Sequence, residues 1–438
     1  VKGPSTKRDG GAIRIEDWKT VGGGDGMYNE VDWNDSRWLY NESQFGPISR
    51  IDQVTGERKS IRYQPMERWA WNAPIVVSPH NSKTIYHAGN KVIRSRNQGE
   101  SWEEISEDLT TRDEAKIQGT GNIQYCTIVT MEESPAKEGV LWVGTDDGKV
   151  WVTPDGGRTW DDVTANIPGH PGYWVSRVST SNADAATAYV TITGLRHDDF
   201  RPWVYKTTDY GKTWKSIASN LPSDESLCVI REHPANPNLL FVGSTKAVYV
   251  SFDGGAAWNK FRNNMPNNPV EDIKIHPREK DLIVATHGRS FYIADISFME
   301  EINSGLLNSD FHLFRPQTRV KWQSAGTNNS SSLNYNGESE PVAAHIYYYL
   351  KNDASSVKIQ VLDGERIIYE GDGATAKGVN RTLWNYAVRP PAAAAAAQTM
   401  ARGAMASARP GTYTIRLVVD GKVAEEPFTL LQDQWFDK

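Results

Sequence analysis

Short apolar runs rich in Val, Ile, Tyr and Trp, broken by turns containing Gly, Asp or Asn, recur along the chain from Ile75 to Ile296. Their brevity, β-branched content and alternation with polar residues predict strands rather than helices. The runs come in threes. Ile75-Val76-Val77, Thr84-Ile85-Tyr86-His87 and Val92-Ile93-Arg94 form one group; Thr127-Ile128-Val129, Val140-Leu141-Trp142-Val143 and Val150-Trp151-Val152 form the next. Each group ends in the same eight-residue pattern, S/T-x-D-x-G-x-T-W. It reads Ser95 to Trp102 (with Asn97 for the acid), Thr153 to Trp160, Thr207 to Trp214 and Ser251 to Trp258. The spacings between the tryptophans, 58, 54 and 44 residues, suit a four-stranded blade repeated around an axis.

The residue types explain the pattern as a hairpin turn. The Asn97, Asp155, Asp209 and Asp253 side chains accept backbone N–H groups of their own turn, glycine takes the left-handed position, and Trp102, Trp160, Trp214 and Trp258 pack between neighbouring sheets. These eight residues are therefore read as structural: an acid whose lone pairs serve its own turn is poorly placed to act on a substrate.

Two weaker groups flank the four, at residues 27–61 and 269–297, which makes six blades countable, with a seventh left to come from elsewhere. The last group lacks a fourth strand. Ile13 to Val21, which contains Trp18 with no three strands before it, is expected to supply that strand and close the ring. The β-propeller is accordingly assigned to residues 11–297, and residues 298–340 to a helix (Phe298 to Leu307) and a polar linker (Asn328 to Ser332). Residues 341–432 read as a small β-sandwich with strands at 342–350, 357–362, 366–369, 381–388, 412–419 and 427–431, interrupted by an Ala-, Pro- and Met-rich stretch, residues 390–410, expected to be a mobile loop. The fold class is all-β.

Composition narrows the function. The chain has 438 residues, a formal net charge of −6 and interspersed acids and bases, so no basic stripe is available for a phosphate backbone and a nucleic-acid partner is not expected. No run of 18 apolar residues occurs and the opening residues are polar, which argues against a membrane span and a signal peptide. Cys126 and Cys228 each sit in an apolar run and read as buried thiols rather than a disulfide. No HExxH, paired CxxC, Walker, Rossmann or calcium-loop pattern appears, so no metal or other cofactor is assigned.

In a propeller blade the turn carrying the Asp box lies on one face, and the turns between second and third strands and between blades lie on the other, the top. This places Asp25, Glu42, Glu67 to Asn72, Asp146-Asp147, His170, Tyr173-Trp174, Arg196 to Trp203 and His287-Gly288-Arg289 on the top face. Trp69, Trp71, Tyr173, Trp174, Arg196, His197, Arg201, Trp203, His287 and Arg289 are the candidate binding residues, because rings and cations around one opening suit a sugar or peptide. Asp25, Asp146, Asp147, Asp198 and Asp199 are the candidate acids if the site is catalytic. Ordinary structure competes in each case. A two-residue hairpin accounts for Asp146-Asp147-Gly148, and a tight turn with an arginine bridging two blades accounts for Thr286 to Arg289. The insertion from Arg196 to Trp203 is longer than a hairpin requires, so function and structure weigh equally there.

The four boxes, with Ala285-Thr286-His287-Gly288-Arg289-Ser290-Phe291 and Trp69-Ala70-Trp71-Asn72-Ala73-Pro74, resemble the bacterial BNR/Asp-box, sortilin (VPS10)-like propellers, often labelled glycosyl hydrolases. The resemblance covers residues 11–297 and implies the later part of an exported protein with a further propeller upstream, placed in the periplasm, at the outer membrane or outside the cell. Gly378 to Asn385 and Pro410 to Thr414 resemble an Ig-like module at the ends of such proteins. The hydrolase label transfers poorly: neither the arginine triad with Tyr/Glu of sialidases nor the two cleft aspartates of xyloglucanase-like propellers matches residue by residue. The expected function is a non-catalytic binding or scaffolding module for a protein, peptide or glycan partner or an assembled subunit; the alternative is a glycoside hydrolase using two of the five aspartates.

Overall fold

The computed structural model describes residues 1–7, 11–118, 123–262, 264–323, 337–389 and 407–434. They form two compact units, one of residues 22–295 and one of residues 1–21 with 296–438.

The first unit is a β-propeller of six successive antiparallel meanders. Sheet one comprises Asn29–Val31, Trp38–Glu42, Ile48–Asp52 and Arg58–Ser60; sheet two Ile75–Val77, Ile85–Ala88, Val92–Ser95 and Glu103–Glu104; sheet three Ile128–Glu133, Leu141–Thr145, Val150–Thr153 and Asp161–Asp162. Sheet four comprises Trp174–Thr180, Ala188–Gly194, Asp199–Thr207 and Lys215–Ser216, and sheet five Leu227–His233, Asn236–Ser244, Val248–Ser251 and Asn259–Phe261. Sheet six holds three strands among the described residues, Val270–Ile275, Asp281–Thr286 and Phe291–Asp295. The core lies between sheets. One cluster joins Val140, Trp142, Val150 and Val152 of sheet three to Val175, Val178, Val190 and Ile192 of sheet four, as the alternation of apolar positions requires.

Each box is built as its residues dictate. The hydroxyl of the first residue bonds the acid or amide two residues on, as in Thr207 Oγ1 to Asp209 Oδ1 at 2.8 Å, and accepts the glycine N–H, as in Gly211 N at 3.0 Å. Asp209 then accepts Thr213 N at 2.9 Å and Thr213 Oγ1 at 2.6 Å; these bonds hold its carboxyl below the usual range. The box glycines have φ between 79° and 94°, and a Cβ on any of them would strike the preceding sheet: Ile61, Ile105, Val163 or Ile217. Glycine is thus required twice over. The Trp102, Trp160 and Trp258 indoles donate to the carbonyls of Ile61, Ile105 and Ile217 at 2.7 to 2.8 Å, stitching each sheet to the one before. Trp214 differs, donating to Gly211 O within its own box at 3.1 Å.

The expected closing strand is not where the sequence suggests. Residues 11–21 group with the second unit, Ile13 bridges to Gly337, Lys19 bridges to Lys2, and Ile15–Asp17 forms a short 3-10 helix. A lone box-like tryptophan does not specify which sheet edge it joins when other backbone partners compete.

In the second unit, a three-stranded sheet (Phe311–Leu313, Ala344–Leu350, Gly378–Trp384) and a five-stranded sheet (Arg319–Lys321, Val357–Asp363, Arg366–Asp372, Gly411–Val419, Lys422–Gln432) share one core that includes Ile346, Ile359, Trp384, Ile415 and Phe428. The helix expected over residues 298–307 is two short pieces, a 3-10 turn Ser297–Glu301 and an α-turn Ser304–Asn308, the latter capped by the Asn303 side chain. The expected linker at 328–332 lies outside the described residues, as does most of the expected loop at 390–410. Both cysteines are free thiols.

Candidate functional site

The hairpin between the second and third strands of sheet four makes the most distinctive surface. Its turn is a 3-10 segment, Leu195–His197, followed by Asp198 at φ 53°, and the register shifts between Ile192 and Gly194. The bulge re-aims the turn. The Arg196 guanidinium lies 4.2 Å from the Trp174 ring centre, and the His197 ring stacks on Tyr173 at 4.2 Å with 10° between planes. Tyr125 meets Trp174 edge-on at 6.3 Å, donates its hydroxyl to Asp146 O at 2.8 Å and has the Lys116 ammonium 6.0 Å from its own ring. Beside this ledge, Arg201 lies 4.5 Å from the Trp203 ring and grips Asp199 through Nε at 2.9 Å and Nη2 at 2.6 Å. Leu195, Arg196, His197 and Phe200 are exposed. Stacking on a ring fixes each cation while leaving its other face open to a ligand.

The candidate acids fare differently. Asp146 is buried and spends its two oxygens on Thr127, accepting N at 2.9 Å and Oγ1 at 2.7 Å; burial pushes its carboxyl up to about 7 against those bonds. Asp147 is buried too and accepts Thr111 N at 2.7 Å and Thr111 Oγ1 at 2.6 Å, with Thr145 Oγ1 also bonded. The pair ties its hairpin to the segment leading into sheet three. Asp199 is held below the usual carboxylate range by Arg201. Asp25 and Asp198 are exposed.

Trp69 is a correction: it is only 4% exposed, stacks on the buried His87 at 4.5 Å and sits in a core with Met66, Ala70, Ala73 and Ile93. A ring so enclosed offers no face to a ligand. Trp71, 38% exposed, keeps one by meeting Phe45 edge-on at 5.0 Å. His287 is exposed and faces Glu271 at 3.1 Å, while Arg289 is exposed on the same turn. His170 accepts Gly172 N at 2.9 Å, and burial holds its imidazole down at about 4.

Sequence reasoning missed the charges on the innermost strands. Arg177 of sheet four donates to Tyr28 Oη at 2.9 Å and pairs with Asp272 of sheet six at 3.2 Å. Arg231 of sheet five also pairs with Asp272, at 3.3 Å, and with Glu132 of sheet three at 3.6 Å. Lys274 of sheet six reaches Glu30 of sheet one at 3.3 Å, linking the last sheet to the first. Burial raises the Asp272 carboxyl, but Arg177 and Arg231 outweigh it and hold it down at about 2. The available signal was charge recurring inside the first strands of successive repeats: Glu132, Arg177, Arg231, and Asp272 with Lys274.

Sheets, boxes and axial charges together define a sortilin-like Asp-box β-propeller. The family model described as sortilin, neurotensin receptor 3, matches residues 203–310. No curated protein sequence matches the chain. Among solved structures, the chain is similar to YCF48 bound to D1 peptide, at 10% identity over 59% of this chain and 75% of that one, with a TM-score of 0.42. It is also similar to the GH74 xyloglucanase of Xanthomonas campestris, at 13% identity over 82% of this chain and 59% of that one, TM-score 0.46. An ancestral GH74 enzyme matches at 14% identity over 97% of this chain and 63% of that one, TM-score 0.47. The chain thus spans less than two thirds of the length of either GH74 protein. No helix among the described residues is long and apolar enough to cross a membrane.

Proposed function

We propose that the propeller is a non-catalytic binding and scaffolding module of an exported cell-envelope protein, and that it holds a peptide, glycan or partner subunit against its top face. The observation that carries this reading is the ledge on sheet four, where Arg196 lies on Trp174 and His197 on Tyr173. Rings and cations fixed in this way lose little freedom on binding and present both stacking surface and hydrogen-bond donors. The neighbouring acids support binding over hydrolysis, since Asp146, Asp147 and Asp199 are engaged by Thr127, Thr111 and Arg201.

The hydrolase alternative has one feature in its favour, the Asp146 carboxyl raised to about 7, a value suited to a general acid. Its burial, at 1% exposure, keeps it from a glycosidic oxygen. Screening the protein on glycan and peptide arrays, then testing each hit for both affinity and turnover, separates the two readings. Arg196→Ala and Trp174→Ala should abolish capture while Asp198→Asn and Asp25→Asn leave it intact. Turnover of a captured glycan that disappears in Asp198→Asn would overturn the binding reading.

A further inference from the structure

Sheet six stops at three strands among the described residues, and the position its fourth strand would fill can be reconstructed from sheet five. In sheet five Leu240 faces Ser251, Val242 faces Tyr249, and Gly243 faces Val248; in sheet six Leu282 faces Ala294, Val284 faces Tyr292, and Ala285 faces Phe291. The two registers superpose position for position. The box of sheet five sends Trp258 into a larger cluster that includes Val204, Ile217 and Leu221 from sheet four and the segment after it, and Leu240, Val242 and Tyr249 of sheet five. The counterparts of these six residues one sheet further on are Val248, Phe261, Met265, Leu282, Val284 and Tyr292. All six line a single cavity of about 60 Å³. This cavity is therefore the indole socket of sheet six, and no tryptophan of the unit fills it, because Ala294 and Asp295 stand where a box would begin.

The strand edge beside the socket is prepared as well. In sheets one to four a residue of the third strand, Ile48, Val92, Val150 or Val204, accepts an N–H from the residue that follows the fourth strand, as Val204 O does from Ile217 N at 3.1 Å. Phe291 holds that place in sheet six. Phe291 and Ile293 are 56% and 43% exposed, whereas their counterparts Val248 and Val250 are 0% and 3% exposed. The Phe261 carbonyl occupies the place of Ile217 O, which receives the Trp258 indole N–H.

We propose that the outer edge of Phe291–Asp295 and the socket beside it bind an extended segment of a partner polypeptide as a fourth antiparallel strand, with a tryptophan at its head in the socket. The outer strands of this protein define the occupant: Trp102-Glu103-Glu104-Ile105, Trp160-Asp161-Asp162-Val163, Trp214-Lys215-Ser216-Ile217 and Trp258-Asn259-Lys260-Phe261 all read tryptophan, two polar residues and a bulky apolar one. One further copy, Trp18-Lys19-Thr20-Val21, is engaged elsewhere, its backbone bridged to Lys2 and its indole against Gly3.

A fluorescently labelled synthetic peptide of residues 13–21 is a suitable probe, titrated against the intact protein by anisotropy. Saturable binding is expected. A peptide with Trp18→Ala should bind at least about thirtyfold more weakly, as for a buried tryptophan anchor. In the protein, Ile293→Pro removes an outward N–H on an edge strand and should weaken binding at least about tenfold. Val284→Phe fills the socket and should do the same should the proline variant fail to fold. No binding, or equal binding by the alanine peptide, overturns the proposal. Binding to a Trp18→Ala protein but not to the intact chain also overturns it, since the chain's own segment would then be the occupant.

Discussion

Glu42 offers a quantitative test of how the propeller tolerates a buried acid. Its side chain is fully buried at the end of the second strand of sheet one; one oxygen accepts Ala73 N at 2.9 Å and the other has no hydrogen-bond partner among the described residues. Burial pushes its carboxyl from 4.5 up to about 8, with the Ala73 N–H pulling the other way. Because the folded value lies above the unfolded one, the unfolded chain gives up its proton first as pH rises. Stability from this group is therefore full below about pH 4.5, falls through the interval to about pH 8 and then levels off. At about 1.4 kcal/mol per pH unit the loss has a ceiling of about 5 kcal/mol. Glu42→Gln keeps the acceptor for Ala73 N and cannot ionise. Urea unfolding followed by tryptophan fluorescence should find variant and wild type similar at pH 5, and the variant more stable by about 2 to 4 kcal/mol at pH 8. Asp146 titrates in the same range in both proteins, so it drops out of the difference. Parallel stability curves across this range would refute the reasoning and mean that water or a cation reaches the carboxylate.

Asp209→Ala removes the acceptor for Thr213 N and Oγ1; thermal melting should show a loss of about 1 to 3 kcal/mol, with ligand capture by the top face unchanged. Trp258→Ala empties a socket whose indole is 4% exposed and bonded to Ile217 O, and should cost about 3 to 5 kcal/mol by denaturant titration. Asp272→Asn leaves Arg177 and Arg231 without their shared carboxylate, a loss of about 3 to 5 kcal/mol near neutrality. In the wild type the Asp272 contribution is present above about pH 4 and lost as pH falls towards 2, so acid unfolding in that range should be blunted in the variant.

The boxes were legible because everything that makes them is contiguous: a hydroxyl, an acid, a glycine and a tryptophan within eight residues, each needing only its own turn. The strands were legible by alternation, and the acids at Asp146-Asp147 by the glycine that follows them. Trp69 was not. Its burial depends on Gly46 of another sheet, where a Cβ would strike the indole at 2.2 Å, and on Gln124, whose side chain takes its N–H. Neither is near it in sequence. The same holds for Arg177, Arg231 and Asp272, whose meeting requires sheets four, five and six to converge on one axis.

On the proposed binding reading the two faces of the propeller divide the labour for a physical reason. A box consumes its own polar groups, so its acid sits below its ordinary pKa in Asp155 and Asp209 and its tryptophan is spent on the neighbouring sheet; repeating it makes a ring but leaves nothing to offer a ligand. The opposite hairpins differ from one another: Gly89-Asn90 is a buried turn in sheet two whose Asn90 side chain bonds Asp108 and Arg68 N, Asp146-Asp147 a buried brace in sheet three, and Leu195 to Asp198 an exposed turn in sheet four whose Arg196 and His197 side chains lie on aromatic rings. Specific binding needs one blade unlike its neighbours, because equivalent hairpins would present the same weak site around the ring. On the proposed binding reading sheet four supplies that asymmetry, and variation of its hairpin should change what is bound while the melting temperature, set by the boxes, stays nearly constant.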